Sequence, residues 1–243
     1  VSVLSTLKAL WLASLPRVRP RVVAALDHDP EAFTQGLAYR DGQLFESTGL
    51  AHASSLRRLS PDAATPERLV PVPGHFAEGI ACRGDELTQL TFKSGVALVY
   101  RLPELALLRQ LQYSGQGWGL ASCGDGFVMS DGSEWLSFRD QDFALRRRLR
   151  VTARGLPMRW LNDLEYARGR IFANRLGDKA TSEIDAATGA VFRVIACSEL
   201  VARARPRQPG DVLNGIAFLA DRDLFLFGGK RWPLMFLVEL PVA

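Results

Sequence analysis

A glutamate at the start of an apolar segment is the first residue of this sequence that could do chemistry. Glu78 lies in the stretch "HFAEGIA", between an aromatic residue and a Gly-Ile pair, where a β-strand is expected to begin. A buried carboxylate without a partner is unfavourable, and its pKa rises until the group becomes neutral. Glu78 is therefore either exposed or held there for a purpose such as proton transfer.

Lys230 is the candidate partner of this carboxyl group. The chain has thirty Lys and Arg residues, and only four of them are lysines. Phe33, Phe76 and Phe92 would surround Glu78 with apolar groups and raise its pKa, whereas a nearby ammonium group would lower it. Lys230 could supply that ammonium group.

Five related sequence segments along the chain indicate how such side chains could meet. Each segment contains a polar or aromatic residue, usually a Gly, and then a Leu or Ile. These Leu and Ile anchors are Leu37, Ile80, Leu120, Leu164 and Ile216, at spacings of 43, 40, 44 and 52 residues. Propeller blades repeat at intervals of about 40 to 50 residues.

The repeats have the composition of strands. Short alternating or apolar runs are bounded by turns such as DG, RGD and GDG, and no segment within the repeats sustains a helical period. The sequence therefore predicts an all-β fold, a five-bladed β-propeller. The longest interval contains "CSELVARARPRQPGD" and is expected to add one or two helical turns and a loop.

The two ends of the chain predict how the ring closes. Only 27 residues follow Ile216, which is too few for a four-stranded blade. An N-terminal strand around Val22 to Leu26 would complete the C-terminal blade and remove an exposed edge. The propeller is thus assigned to residues 21–243.

Residues 1–20 are interpreted as an N-terminal extension or the remnant of an export signal. Their apolar stretch, "VSVLSTLKALWLASLP", is interrupted by Lys8 and is too short to span a bilayer. The chain is therefore expected to lack a transmembrane segment and to be periplasmic or secreted.

Equivalent positions of the repeats should converge at one mouth of the central channel, because the first strand of each blade lines it. The residues two positions before the anchors are Gln35, Glu78, Trp118, Asn162 and Asn214. Converging polar groups among aromatic residues are typical of a ligand site. The second strands would add Glu46, Asp131, Asn174 and Lys230, of which Glu46 and Asp131 are interpreted as groups that hold blades together.

Charge and composition argue against other classes of function. The net charge is +4, and the run of Arg146, Arg147, Arg148 and Arg150 has no interleaved aromatic residues. That run is interpreted as a solvated strand or turn, so no nucleic-acid partner is predicted. The three histidines and three cysteines lack the spacing of a zinc site, and no metal ligand is assigned. The protein is expected to be a monomer.

In its five repeats the sequence resembles a known family, the plant and bacterial glutaminyl-peptide cyclotransferases. The resemblance extends over about residues 27 to 241. The motifs that carry the resemblance are "AFTQGL", "FESTGL", "SSLRR", "FAEGIA", "WGLASCGDG", "MSDGS", "LNDLE", "VLNGIA" and "GGKRWP". The resemblance implies a five-bladed propeller that converts the N-terminal glutamine of peptides and proteins into pyroglutamate and releases ammonia. It also implies that no catalytic zinc and no other cofactor is required, and that a cation in the central channel would be structural.

The resemblance also implies roles for particular residues. Glu78 would take the proton of the attacking amine and deliver one to the leaving ammonia, and Lys230 would stabilise the developing negative charge. Gln35 and Asn162 would hold the polar groups of the substrate. The walls of the substrate site would be Phe33, Phe76, Phe92, Trp118 and Leu176.

The sequence departs from the family pattern at several of these positions. Phe92 and Leu176 stand where the family usually has tryptophan, Gln116 stands where it has Glu, and "LNDLE" replaces "LNELE". Losing two indoles removes stacking area and N–H donors, so weak turnover is expected.

Two other functions remain open at this point. A non-catalytic propeller could bind a peptide end or a small ligand at the same channel mouth. A propeller hydrolase such as a lactonase would need a channel metal held by several carboxylates, and the polar ring offers a single carboxylate, that of Glu78.

Overall fold

The computed structural model describes residues 15–241, and its architecture is a ring of five antiparallel β-sheets. In three of these sheets the strands follow one another from the centre outward in chain order, and in the other two an N-terminal strand is added at the outer edge. The first strand of each sheet contacts the first strands of both neighbouring sheets, so five strands surround a common axis. The predicted all-β, five-bladed propeller is therefore confirmed.

The strand bounds are as follows. Two strands precede the first blade, β1 (Arg17–Val18) and β2 (Arg21–Asp27). Blade 1 contains β3 (Thr34–Arg40), β4 (Gln43–Thr48), β5 (Ser55–Leu59) and β6 (Pro66–Pro71). Blade 2 contains β7 (Ala77–Arg83), β8 (Glu86–Thr91), β9 (Val96–Arg101) and β10 (Ala106–Gln112). Blade 3 contains β11 (Leu120–Cys123), β12 (Gly126–Ser130), β13 (Trp135–Arg139) and β14 (Leu145–Arg150), and a short hairpin, β15 (Thr152–Ala153) and β16 (Leu156–Pro157), follows it.

The last two blades include the strands from the N-terminal part. Blade 4 contains β17 (Leu161–Ala167), β18 (Arg170–Arg175), β19 (Ala180–Asp185) and β20 (Val191–Ala196), with β1 added in parallel to β20. Blade 5 contains β21 (Leu213–Leu219), β22 (Leu224–Gly229) and β23 (Leu234–Glu239), with β2 as its outer strand.

The predicted closure of the ring is confirmed by the pairing of β2 with β23. The two strands run antiparallel, with Val22 opposite Val238 and Leu26 opposite Met235. An early segment of the chain thus completes the last blade, which leaves no blade of three strands.

The remaining N-terminal residues that the structure describes also contact the propeller. Leu15 is buried among side chains of blades 3 and 4, and the carbonyl of Pro16 accepts a hydrogen bond from the Val194 N–H at 2.8 Å. Residues 15–20, assigned to the extension on sequence grounds, thus include a short strand of blade 4. Residues 1–14, and with them most of the predicted extension, lie outside the described residues.

The interval between blades 4 and 5 contains the helix that the sequence predicts. Helix α1 (Ser198–Ala204) has seven residues and buries Leu200, Val201 and Ala204 against blades 4 and 5. Within residues 15–241 no helix is long and apolar enough to cross a membrane.

The hydrophobic core is divided into five clusters, one at each interface between neighbouring blades. Apolar side chains from the two facing sheets fill each wedge. Burial falls from the axis outward: β3 and β7 are buried along most of their length, whereas β6 and β10 are largely exposed. The arginine run forms β14, an outer strand, where Arg146 pairs with Asp140 at 2.5 Å.

The channel axis is crowded because the blades meet there backbone to backbone. A Cβ atom at Gly79 would lie 2.6 Å from the backbone nitrogen of Leu120 and 2.7 Å from the carbonyl oxygen of Trp118. Four repeats have Gly immediately before the anchor, and the fourth has Asp163. The Asp163 carboxylate accepts backbone N–H bonds from Leu37 at 3.3 Å and from Ile216 at 2.9 Å, and thereby links blade 4 to blades 1 and 5.

Candidate active site

A cavity of about 430 Å³ opens at one end of the channel. Its volume lies within the range of small-molecule sites, about 300 to 1,000 Å³. The nine residues that sequence analysis assigned to the site all line it: Phe33, Gln35, Phe76, Glu78, Phe92, Trp118, Asn162, Leu176 and Lys230.

Antiparallel pairing explains why these side chains meet. The start of the first strand of a blade lies beside the end of its second strand, at the same edge of the sheet. Gln35, Glu78 and Asn162 are the second residues of β3, β7 and β17, and Phe92, Leu176 and Lys230 directly follow β8, β18 and β22. Phe33 and Phe76 immediately precede β3 and β7, and Trp118 lies two residues before β11. The side chains at the starts of the first strands and at the ends of the second strands therefore lie at the same mouth of the channel.

Glu78 and Lys230 are both nearly excluded from solvent, each with 6% of its surface exposed. Burial raises the pKa of Glu78 well above its ordinary value; the positive charge of Lys230 opposes this rise and the negative charge of Asp163 adds to it. Burial lowers the pKa of Lys230 to about 8, and the negative charges of Glu78 and Asp163 oppose that shift. Each group therefore exchanges its proton more readily near neutral pH than it would in water.

The surroundings of Lys230 hold its ammonium group in one place. Its Nζ donates a hydrogen bond to Gln35 Oε1 at 2.6 Å and lies 4.7 Å from the centre of the Phe33 ring. The Arg231 guanidinium also lies 4.7 Å from this ring. In contrast, the Glu78 carboxyl group has no hydrogen-bond partner within residues 15–241, so its oxygen atoms are free to bind a ligand.

Of the two asparagines in the predicted polar ring, one lines the cavity and one supports it. The Oδ1 atom of Asn162 is buried without a hydrogen-bond partner in the described part of the chain, so this amide has capacity for a ligand. Asn214 instead donates through Nδ2 to the carbonyls of Thr34 at 3.0 Å and Gln35 at 3.1 Å. It fixes the backbone of Gln35 and is not part of the cavity wall.

The apolar walls form a continuous arc of aromatic rings. Phe33 and Phe76 are 6.4 Å apart, Phe76 and Phe92 are 5.9 Å apart, and Phe92 and Trp118 are 6.3 Å apart between ring centres. The indole N–H of Trp118 donates to Gln116 Oε1 at 3.0 Å. Gln116, at a position where the sequence departs from the family pattern, thus fixes the orientation of this ring.

The polar residues of the second strands have other partners. Glu46 is fully buried and accepts hydrogen bonds from Thr34 at 2.7 Å and from His28 at 3.0 Å, in agreement with its interpretation as a structural group. Asp131 accepts a bond from the Ser133 N–H at 3.0 Å and stabilises a turn. Asn174 donates to Thr181 Oγ1 at 2.9 Å.

Sequence reasoning missed three features of the site. Asp163 contributes charge beneath the cavity, and the replacement of Gly by Asp in the fourth repeat was the signal that could have revealed it. Trp160 continues the aromatic arc beyond Trp118, with ring centres 6.2 Å apart. The segment after α1 supplies Pro209, Gly210 and Val212 to the wall; Pro209 and Gly210 lie outside the repeats, whereas Val212 lies four residues before its anchor Ile216.

No group of three or more His, Cys, Asp or Glu side chains in residues 15–241 is arranged to hold a metal ion. The polar groups of the cavity are instead one carboxyl group, one ammonium group and two amides. Such a set can transfer protons and stabilise a negative charge that develops on a carbonyl oxygen.

These features define a class of protein: a five-bladed β-propeller with a buried acid–base pair at the mouth of its channel. A family model described as "Glutamine cyclotransferase" matches residues 2–240. The chain belongs to the glutamine cyclotransferase family, which confirms the resemblance seen in the sequence motifs.

Individual relatives agree with this assignment. The chain is 33% identical over 228 residues to the glutaminyl-peptide cyclotransferase of Arabidopsis thaliana, an alignment that covers 91% of this chain and 71% of the plant protein. The crystal structure of Myxococcus xanthus glutaminyl cyclase superposes with a TM-score of 0.89 at 37% identity and covers 95% of this chain and all of the bacterial one. Kuenenia stuttgartiensis hydrazine synthase, at 14% identity and a TM-score of 0.50 over 83% of this chain and 56% of its own, is similar in fold alone.

Proposed function

We propose that the protein is a glutaminyl cyclase, which converts the N-terminal glutamine of peptides into pyroglutamate and releases ammonia. The observation that carries the proposal is the buried pair of Glu78 and Lys230 in the cavity of a glutamine cyclotransferase family member. A carboxyl group with a raised pKa and an ammonium group with a lowered pKa are the groups that an intramolecular aminolysis requires.

The reaction joins two parts of one residue. The α-amine nitrogen attacks the side-chain carbonyl carbon, so that a C–N bond forms and the carbonyl electrons move to oxygen. Glu78 accepts the proton from the attacking nitrogen and then donates it to the amide nitrogen. The bond from carbon to that nitrogen breaks, the carbonyl re-forms and ammonia leaves. No atom of the enzyme is consumed, and no water or cofactor enters the balance.

Lys230 is placed to stabilise the negative oxygen of this intermediate. Its ammonium group is held by Gln35 at 2.6 Å in a site that excludes most water, where electrostatic stabilisation is stronger than in solution. Gln35 and Asn162 would bind the remaining polar groups of the glutaminyl residue. Asn162 fits this role because its amide has no hydrogen-bond partner in the part of the chain described here.

The aromatic walls would hold the substrate in a reactive conformation. The substrate carries both reacting groups, so the principal task of the enzyme is to orient them and to exclude water. Phe33, Phe76, Phe92 and Trp118 can pack around the methylene groups of a glutaminyl side chain. Leu176 is 38% exposed at the mouth, and its side chain provides no N–H donor. Weak turnover, expected from Phe92 and Leu176, stays a prediction.

Independence of zinc belongs to the same proposal. We expect kcat to stay unchanged after incubation with EDTA, because Glu78 and Lys230 supply the proton transfer and the charge stabilisation. Ammonia release is the measurement, with and without added zinc. Loss of activity in EDTA that zinc restores would contradict the mechanism. A cation in the channel would be structural, and the chelator would then lower the melting temperature of the protein without a parallel loss of kcat at low temperature.

The experiment that tests the proposed function uses a peptide with an N-terminal glutamine. Incubation with the purified protein should release one equivalent of ammonia and produce a peptide whose mass is lower by that amount. A matched peptide that begins with asparagine controls for general deamidation. Binding of the peptide without any mass change would favour the non-catalytic alternative, and hydrolysis of a lactone would favour a hydrolase.

The substrates would be proteins as well as peptides with an N-terminal glutamine. Two further properties belong to the proposal without being needed for the reaction. The protein would act as a monomer and in the periplasm or outside the cell. Size-exclusion chromatography and the fractionation of cells check the last two properties.

A further inference from the structure

Trp160 is a large aromatic residue that the fold leaves exposed. Its relative exposure is 54%, the largest among the exposed apolar side chains together with that of Leu107. Single exposed apolar residues are common on protein surfaces, so exposure alone indicates nothing. The position of Trp160 beside the cavity is what distinguishes it.

The Trp160 indole extends the aromatic arc out of the cavity. Its ring centre lies 6.2 Å from that of Trp118, which lines the cavity, with an angle of 43° between the rings. The Trp160 carbonyl accepts a hydrogen bond from the N–H of Leu176, another lining residue, at 2.8 Å. Trp160 thus lies on the rim, next to two residues of the wall.

The backbone holds this rim residue firmly. The Trp160 N–H donates to the Gly132 carbonyl of blade 3 at 2.7 Å. Arg175 of blade 4 donates to the preceding carbonyl, that of Arg159, at 3.0 Å. Trp160 itself has a φ of 67°, which is unfavourable for a bulky side chain. Such conformations persist when the surrounding structure enforces them, and they occur frequently at ligand sites.

A peptide with its N-terminal residue at Glu78 has to leave the cavity on the rim side. The opposite direction is closed, because the backbones around Gly79 pack against those of blade 3 and the Asp163 side chain occupies the axis. The second residue of the peptide is the first to reach the rim. There it meets the exposed face of the arc.

The charges near Trp160 are already paired. Arg159 binds Glu134 at 2.9 Å, and Arg175 binds Asp178 at 3.0 Å. This part of the rim therefore offers apolar surface rather than a free charge, and it favours an apolar side chain over a charged one.

We propose that Trp160, together with Trp118, forms a subsite for the second residue of the substrate and selects an aromatic or large aliphatic side chain there. This inference rests on the proposed function, since it assigns specificity within the same site. Trp160 acts through substrate binding and takes no part in the proton transfer.

The test compares kcat/KM for two peptides, Gln-Phe-Ala and Gln-Gly-Ala, with the parent protein and with Trp160→Ala. We expect the substitution to lower kcat/KM about tenfold for Gln-Phe-Ala, mainly through KM, and to leave the value for Gln-Gly-Ala within about twofold. Trp160→Phe should restore most of the preference. Phe192→Ala is the matched control, because Phe192 is an exposed aromatic residue of blade 4, 41% exposed, on strand β20 far from the first strand β17.

The outcomes separate this inference from the function on which it rests. Equal losses for both peptides, or no loss for either, would overturn the subsite while cyclisation itself stands. A parent protein that cyclises neither peptide would overturn the proposed function and the subsite together. Melting curves of Trp160→Ala check the fold, and an exposed side chain should leave them nearly unchanged.

Discussion

Burial favours the neutral form of both Glu78 and Lys230, because both side chains are nearly excluded from water. In solution a carboxyl group and an ammonium group have pKa values about six units apart. In the cavity burial raises the one and lowers the other to about 8, so a proton can pass between enzyme and substrate with a small difference in free energy. The two groups interact, so their titrations describe the pair rather than either residue.

Replacing Glu78 by Gln tests the proton transfer. We expect kcat to fall by about 10² to 10⁴, the usual contribution of a general acid–base, because the amide keeps the shape of the side chain and cannot accept the proton. KM should change less than kcat, since the lost interaction belongs to the path to the transition state.

The matched control for this variant is Glu165→Gln. Glu165 lies on the same ring of first strands, three residues beyond Asn162, and burial raises its pKa to about 7. It lines a separate pocket with Leu37 and Leu120 and is not among the residues that line the candidate active site. Its substitution should leave kcat close to that of the parent. A Glu78→Gln variant as active as the parent would remove Glu78 from the mechanism.

The pH dependence of kcat/KM should form a bell. Glu78 has to be a carboxylate to accept the proton, so activity should rise as the pH increases through its raised pKa. Lys230 has to be an ammonium group, so activity should fall as the pH increases through about 8. In Lys230→Arg the cation persists at high pH, so the alkaline limb should move upward even if the absolute rate is lower. An unchanged alkaline limb in that variant would assign it to another group, such as the substrate amine.

At the scale of strands, the site is built from two sets of positions that antiparallel pairing brings to one edge of each sheet. Starts of first strands and ends of second strands share an edge, so matched positions in the repeats supply Gln35, Glu78 and Asn162, and the motif "GGKRWP" supplies Lys230. Periodicity predicted these positions because the anchors recur at nearly constant spacing. Asp163 interrupts the repeat, since it stands where the other four repeats have Gly, and only the packing at the axis shows that its carboxylate links three blades. Trp160 lies four residues before its anchor Leu164, as Phe33 and Phe76 lie four residues before Leu37 and Ile80, so the repeat contained a signal for it that sequence reasoning did not use.

A buried ion pair, His28 and Glu46, lies next to the strand that closes the ring. His28 follows the closing strand β2, and its Nε2 lies 3.0 Å from Glu46 of blade 1 while its Nδ1 lies 2.7 Å from the Trp232 carbonyl of blade 5. Burial lowers the pKa of His28, but the carboxylate of Glu46 and the hydrogen bonds together raise it above 6.5. Burial raises the pKa of Glu46, and His28, Arg57 and Thr34 together lower it below 4.5.

Stability should therefore depend on pH through this pair. The raised pKa of His28 contributes stability that is complete below about pH 6.5 and is lost as the pH rises through its folded value. The lowered pKa of Glu46 contributes stability that is complete above about pH 4.5 and is lost as the pH falls through its folded value. The contributions of His28 and Glu46 to stability are therefore both complete between about pH 4.5 and about pH 6.5.

We expect His28→Ala to lower the free energy of unfolding by about 3 kcal/mol at pH 6, because it leaves a buried carboxylate with fewer partners. The loss should shrink above the folded pKa of His28. Urea unfolding at several pH values measures it. Arg21→Ala removes an exposed ion pair with Glu239 in the same closing strand, so it should cost less than about 1 kcal/mol. Equal losses in both variants at all pH values would contradict the role of the buried pair.

At the scale of the whole molecule, catalytic geometry and ring packing depend on the same contacts. Five apolar wedges hold the blades apart at a fixed angle, and the backbones of the first strands touch at the axis. The Gly79 N–H donates to the Trp118 carbonyl at 2.7 Å, and Gly79 is the neighbour of Glu78. A single glycine thus connects the acid–base residue of blade 2 to the aromatic wall of blade 3.

Gly79→Ala should disturb both properties at once. The added methyl group would meet backbone atoms of Trp118, Gly119 and Leu120 at 2.6 to 2.7 Å, and backbone atoms cannot move aside as a flexible side chain can. We expect the free energy of unfolding to fall by about 1 to 3 kcal/mol, the usual cost of overpacking. We also expect kcat/KM to fall at temperatures where the variant is fully folded, because Glu78 and Trp118 are displaced relative to each other.

Gly210→Ala is the control for stability, since its added methyl group meets no atom within 4 Å. A Gly79→Ala variant that is less stable yet keeps the kcat/KM of the parent would show that the ring tolerates movement at the axis without disturbing the site.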